Sequence, residues 1–172
     1  MKNVRIMSIA LAFCTCSFLA FGQSKTEDMQ VAISSQGDSV LKVSIGKRQI
    51  RVVVNTAHIL IGEHQPPDKE QLTNCLYTRR PCSQVRNVGI WVGDKRLVVP
   101  RSVFADCTEL NVMYISKADK MFELILSGGD GAESYSVRVY FDPDRILRRE
   151  VYDGETDKLY ETTTYMPPVV VN

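Results

Sequence analysis

The stretch SYSVRVYFDPDRILRREVYDGETDKLYETTTYM, residues 134–166, decides the fold. In its first run Tyr135, Val137, Val139 and Phe141 fall on one face of an extended chain, with Ser136, Arg138 and Tyr140 on the other. Proline in the second place of DPDR (142–145) marks a tight turn, and DGETDK (153–158) marks another. Strands separated by such turns make an antiparallel meander with one buried face and one wetter face. A register opposing Arg138 to Glu150 and Arg149 to Glu161 pairs charges across the strands and gives the arginines a structural role.

The same alternation runs upstream. SVLKVSI (39–45), RQIRVVV (48–54) and HILI (58–61) are strand-like, with Gly46 and Lys47 as a short hairpin turn. NVGIWV (87–92) and RLVVP (96–100) flank a three-residue connection, Gly93, Asp94 and Lys95. Residues 111–115 and MFELILS (121–127) are strands joined through SKADK, whereas 103–108 favours no element. Pro66 and Pro67 break the extended pattern, and PDKEQLTNCLY (67–77) is expected to form a short helix with proline and acids in its first turn. The expected fold is all-β, an antiparallel sandwich or barrel with one short helix. The single domain spans 39–166, after an N-terminal extension at 23–38 and before a tail at 167–172.

The chain opens as an export signal. Lys2 and Arg5 precede the apolar run at 6–21, and Ala20 and Gly22 occupy the small-residue positions of a cleavage site, so the mature protein is expected to start at Gln23. The apolar run falls short of the roughly twenty residues that span a bilayer, so no stable membrane insertion is expected after cleavage. Lipidation at Cys14 or Cys16 is disfavoured by bulky Phe13 before the first and by the Phe13-Cys14-Thr15 run before the second. These features place the protein in the periplasm or outside the cell. Removing Lys2 and Arg5 leaves 19 basic against 20 acidic residues, a balance that favours neither nucleic acid nor an anionic membrane as partner.

Export bears on the cysteines. Cys75 and Cys82 close the segment CLYTRRPC and are the natural disulfide pair in an oxidising compartment; a loop this short contributes roughly 2 to 3 kcal/mol. Pairing of either one with Cys107 stays open. Cys107, in VFADCTEL, has no basic neighbour in sequence to generate a thiolate and is expected to be a buried, inert thiol. The closed loop would present Arg79 and Arg80 already ordered, which makes them the candidate binding residues.

Catalytic and metal signatures are sparse. His58 and His64, the only histidines, could share a strand face, but Gly62 interrupts them and no further His or Cys completes a tetrahedral set. DGETD (153–157) begins like a calcium loop, yet Lys158 and Thr164 stand where such a loop needs glycine and glutamate. GGDG (128–131) occurs once where calcium-binding repeats need stacked copies, so turn chemistry accounts for it. No nucleophile elbow, phosphate loop or C-x-x-C is present. No metal and no cofactor is expected. Tyr140, Arg145, Arg148, Arg149, Tyr152, Tyr160 and Tyr165 could form a ligand surface, but read more simply as a solvated sheet face with cross-strand pairs.

At VPRSVFADC (99–107) and LSGGDGAESYSVRVYFDPDRILRREVY (126–152) the chain resembles small, uncharacterised exported proteins of Gram-negative bacteria that carry G-G-D, S-Y and R-x-x-F-D elements in this order. The resemblance covers about the C-terminal half of the mature domain and implies an exported, β-rich protein with no residue roles attached. The periplasmic lysozyme inhibitors share an S-G-x-x-Y motif, which Ser127, Gly128 and Tyr135 are too widely spaced to match. The expected function is that of a non-enzymatic envelope protein binding a protein or polymer partner through loops on a β scaffold. The alternative is a periplasmic hydrolase or metal-dependent enzyme with an unrecognised site.

Overall fold

A computed structural model describes residues 30–59 and 82–167. The leader, His64, Cys75, Arg79, Arg80, the helix expected over 67–77 and the tail beyond 167 lie outside the described residues. The elements in chain order are β1 (Val31–Ala32), β2 (Gly37–Ile45), β3 (Arg48–Ile59), β4 (Cys82–Val92), β5 (Lys95–Arg96), β6 (Leu110–Ala118), β7 (Met121–Gly128), β8 (Tyr135–Phe141), β9 (Ile146–Asp153) and β10 (Leu159–Thr164). They form two antiparallel sheets, ordered β2-β3-β4-β5 and β1-β6-β7-β8-β9-β10. Single-turn 3-10 segments stand at Arg101–Val103 and Gly131–Glu133. Among the described residues no helix is long and apolar enough to cross a membrane.

One core lies between the sheets. Leu41, Ile50, Val52, Val54, Val88 and Ile90 come from the four-stranded sheet, and Met113, Leu124, Leu126, Val137, Val139 and Phe141 from the six-stranded one. Each set is a period-two subset of its strands, so burial of β-branched and aromatic side chains fixes which face turns inward. Phe122 and Phe141 meet with ring centroids 5.5 Å apart.

The structure differs from the sequence reading in four places. The sheets begin at Val31, inside the segment read as an extension: β1 pairs with Met113 and Val112, and Ile33 enters the core. The connection read as three residues at 93–95 is a two-residue turn, because Lys95 already pairs with Val92. RLVVP contributes only Arg96 to a strand. Leu97 turns inward and its N–H reaches the Ile90 carbonyl, Val98 is 85% exposed, and Pro100, with no N–H, leads into the 3-10 turn. Finally, Arg138 does oppose Glu150, but Arg149 opposes Thr163, with Glu161 two pairs further on across from Val151.

Candidate functional site

The outward faces of the two sheets solve the same electrostatic problem in opposite ways. On the six-stranded sheet each outward arginine has an aromatic ring and a carboxylate. Arg138 stacks 4.0 Å from the Tyr152 ring centroid and bonds Asp157 at 2.5 Å. Arg148 stacks 4.4 Å from the Tyr140 ring, with its Nε 3.0 Å from Glu150 Oε1. The Tyr140 hydroxyl donates to Glu123 (2.9 Å) and the Tyr152 hydroxyl to Glu150 (2.8 Å). Burial, followed by those carboxylates, raises the Tyr140 pKa. The strands of this sheet carry Lys117, Arg138, Arg148 and Arg149 against Glu123, Glu150, Asp153 and Glu161. The face is internally neutralised, as the sequence suggested for Tyr140, Arg148 and Tyr152. A polar groove of about 330 Å³ lies at its glycine-rich end, between Tyr114, Ile125, Ser136, Arg138, Asp153 and Asp157. Asp153 there accepts bonds from the Tyr160 and Thr156 hydroxyls, which hold its carboxyl down at about 2.

The four-stranded sheet is not neutralised. Its strands carry Lys42, Arg48, Arg51, Arg86, Lys95 and Arg96 against Asp38, which accepts from the Asn55 amide at 2.6 Å, and of these cations Lys95 is paired with Asp144 of the β8–β9 turn at 2.5 Å. Strand pairing sets Lys42 opposite Arg51, Arg51 opposite Trp91, and Trp91 opposite Arg96. These four side chains therefore form one row across all four strands on the outward face. Arg51 lies 3.9 Å and Arg96 5.2 Å from the Trp91 ring centroid. The indole rests over Gly89, where a Cβ would stand 2.6 Å from two of its ring carbons. Lys42, Arg51 and Arg96 form no ion pair or side-chain hydrogen bond among the described residues. Like charges directly opposite each other destabilise a sheet, so the row runs against the rule that the other sheet obeys.

The expected site residues fall around this face only in part. β3 ends where Ile59 pairs with Cys82, so both ends of the excursion carrying Arg79 and Arg80 are rooted at one end of the same sheet. His58 pairs with Ser83 in that ladder, and no group of three or more potential metal ligands occurs among the described residues. Sequence reasoning missed Lys42, Arg51, Trp91 and Arg96. Part of the signal was available, since a two-residue turn at Gly46 and Lys47 already sets Lys42 against Arg51.

Cys107 lies elsewhere, fully buried between the sheets, and is the free cysteine among the described residues. Burial, helped by the Asp106 charge and opposed by Arg149, pushes its thiol up to about 12 from 9.0. Tyr135, whose hydroxyl donates to Thr108 O at 2.5 Å, is raised as well, chiefly by burial. Folding favours the protonated thiol, so its contribution is complete below about pH 9 and is lost as pH rises toward 12. Between those limits one proton costs about 1.4 kcal/mol of stability per pH unit. Urea unfolding across this range is expected to show that slope in the native protein, and Cys107→Ala is expected to flatten it by one proton's worth. Equal slopes in the two proteins would show that Cys107 ionises as easily folded as unfolded.

Comparison of the chain with protein-family models, with curated proteins and with solved structures finds no match.

Proposed function

We propose that this chain is an exported, non-enzymatic envelope protein that binds a protein or polymer partner. The contact surface would be the outward face of the four-stranded sheet, extended by the loop that Cys75 and Cys82 close by a disulfide. The observation that carries this reading is the row Lys42, Arg51, Trp91 and Arg96, in which Arg51 and Arg96 lie over one ring and none of the three cations has a carboxylate among the described residues. A purely structural face would be expected to be neutralised like that of the other sheet. The row instead keeps guanidinium groups preorganised by stacking and free to meet an acidic partner. Arg79 and Arg80 belong to the segment that joins Ile59 to Cys82, two residues paired at the end of that sheet, and are included in the proposed surface for their charge. The leader expected at 1–22, with a mature start at Gln23, supports a site of action in the periplasm or beyond the cell.

The test is capture from a periplasmic extract by the tagged, exported chain, with mass spectrometry of both bait and bound material. The bait is expected to begin at Gln23 and to show no free thiol at Cys75 or Cys82. Bound material should be lost in the Arg51→Gln, Arg96→Gln double variant and reduced in Arg79→Ala, Arg80→Ala. A retained leader would end the localisation, and free thiols at Cys75 and Cys82 would end the disulfide. Capture indifferent to all four arginines would end the binding reading.

A further inference from the structure

We infer that the row on the four-stranded sheet is a binding site for a linear acidic polysaccharide, an inference that rests on the binding reading above and names its partner. Neighbouring strands lie about 4.8 Å apart, so the row from Lys42 to Arg96 covers about 14 Å in a straight line across the sheet. Among the described residues the row crosses the sheet face without walls of its own, whereas sites for compact small molecules are concave. An extended polymer laid across the strands would meet its cations in succession.

The neighbouring positions supply the rest of the chemistry. Ser44 and Gln49, cross-strand partners on the same face, flank the cations, are exposed, and commit their side chains to no hydrogen bond among the described residues. Charged groups for carboxylates or sulfates therefore stand beside an uncommitted hydroxyl and amide that suit sugar hydroxyls. Arg51 lies over the Trp91 ring with no protein partner for its N–H groups among the described residues, so they are left to fork onto an oxyanion.

Two other macromolecules fit less well. A protein partner wants an apolar, charge-depleted centre, and Val40, 44% exposed, is the one large apolar side chain on these strands open to that degree. Single-stranded nucleic acid wants an open aromatic platform for its bases, but the Trp91 ring is already engaged by Gly89 and Arg51.

Equilibrium binding of the exported chain to a size-fractionated oligogalacturonate and to a heparin fragment tests the proposal. Poly-L-glutamate and a DNA oligonucleotide of matched charge, and methyl-esterified oligogalacturonate, serve as comparisons. At least one acidic saccharide is expected to bind more tightly than the matched polyanions, and esterification to abolish binding of oligogalacturonate. The Arg51→Gln, Arg96→Gln double variant should lose roughly tenfold or more in affinity. Its thermal midpoint should stay level or rise, since like-charge repulsion is relieved. Gly89→Ala, which displaces the indole, should also weaken binding, and Lys120→Gln, exposed in the turn between β6 and β7 of the other sheet, should not. Tightest binding to poly-L-glutamate or DNA, or affinity for the saccharides that ignores Arg51 and Arg96, would overturn the inference. If envelope material is captured through Arg51 and Arg96 while no acidic saccharide binds, the polysaccharide falls and the binding face stands; if capture ignores these arginines, both fall.

Discussion

Replacing Arg149 by alanine is expected to cost about 3–5 kcal/mol of stability, because it removes a buried charge from a completed network and leaves its volume empty. Arg149 sits on the core-facing side of β9, across from Val139, with its side chain only 3% exposed. Its guanidinium meets both carboxylate oxygens of Asp106 at 2.7 and 2.6 Å, Glu161 at 3.1 Å and the Val103 carbonyl at 3.2 Å. Asp106 and Val103 belong to the connection from β5 to β6, which also supplies Phe104 and Cys107 to the core. The arginine thus clamps that connection onto the six-stranded sheet. Arg149→Met should be milder, about 1–2 kcal/mol: it fills the volume, Asp106 and Glu161 are half-exposed and can rehydrate, and the Val103 carbonyl is the group left without its donor. Urea unfolding at neutral pH measures both. A loss under about 1 kcal/mol in Arg149→Ala would mean that the connection holds without its clamp.

Gly129→Ala should be nearly as damaging, at about 3 kcal/mol or more, while Gly131→Ala, two residues on, should cost only about 1. Both glycines have positive φ, +75° and +52°. They differ in what surrounds them. A Cβ on Gly129 would stand 2.2 Å from the Glu133 carbonyl oxygen and 3.0 Å from Ser134 Cα, backbone atoms that cannot swing aside, whereas at Gly131 the space is open. Gly129 is also tied on both sides, its N–H donating to Glu109 O at 3.0 Å and its carbonyl accepting from the Asn111 amide at 2.8 Å. In a domain of this size 3 kcal/mol lowers the thermal midpoint by roughly 10 °C. Equal midpoints for the two variants would show that the turn relaxes around the added methyl group.

Strand identity was legible wherever one face of a strand is core and the next residue is wet. MFELILS and SYSVRVYF were read to within a residue or two because Leu124, Leu126, Val137 and Val139 recur at period two. Where buried and exposed positions cease to alternate, as from Leu97 to Pro100, the apolar run RLVVP looked like a strand but folds as a connection. Arg149 was misplaced for a related reason. Charge says surface, yet the register places this residue on the core face, and only the packed connection brings Asp106 to satisfy it.

The sequence by itself determined the all-β class, the hairpin at Gly46 and Lys47, the meander from β8 to β10 and the opposition of Arg138 to Glu150, all consequences of local periodicity and turn chemistry. The hairpin register also put Lys42 opposite Arg51. The tertiary structure alone decided that Trp91 joins that row, because pairing of β3 with β4 is set across the intervening segment 60–81 and through the irregularity between Asn55 and Thr56. It alone decided, too, that the charges separate. Net charge is a sum over the chain and is close to zero, but which sheet a strand joins is a matter of long-range pairing. That pairing gathers Lys42, Arg51 and Arg96 on one face while giving Arg138 and Arg148 their carboxylates on the other.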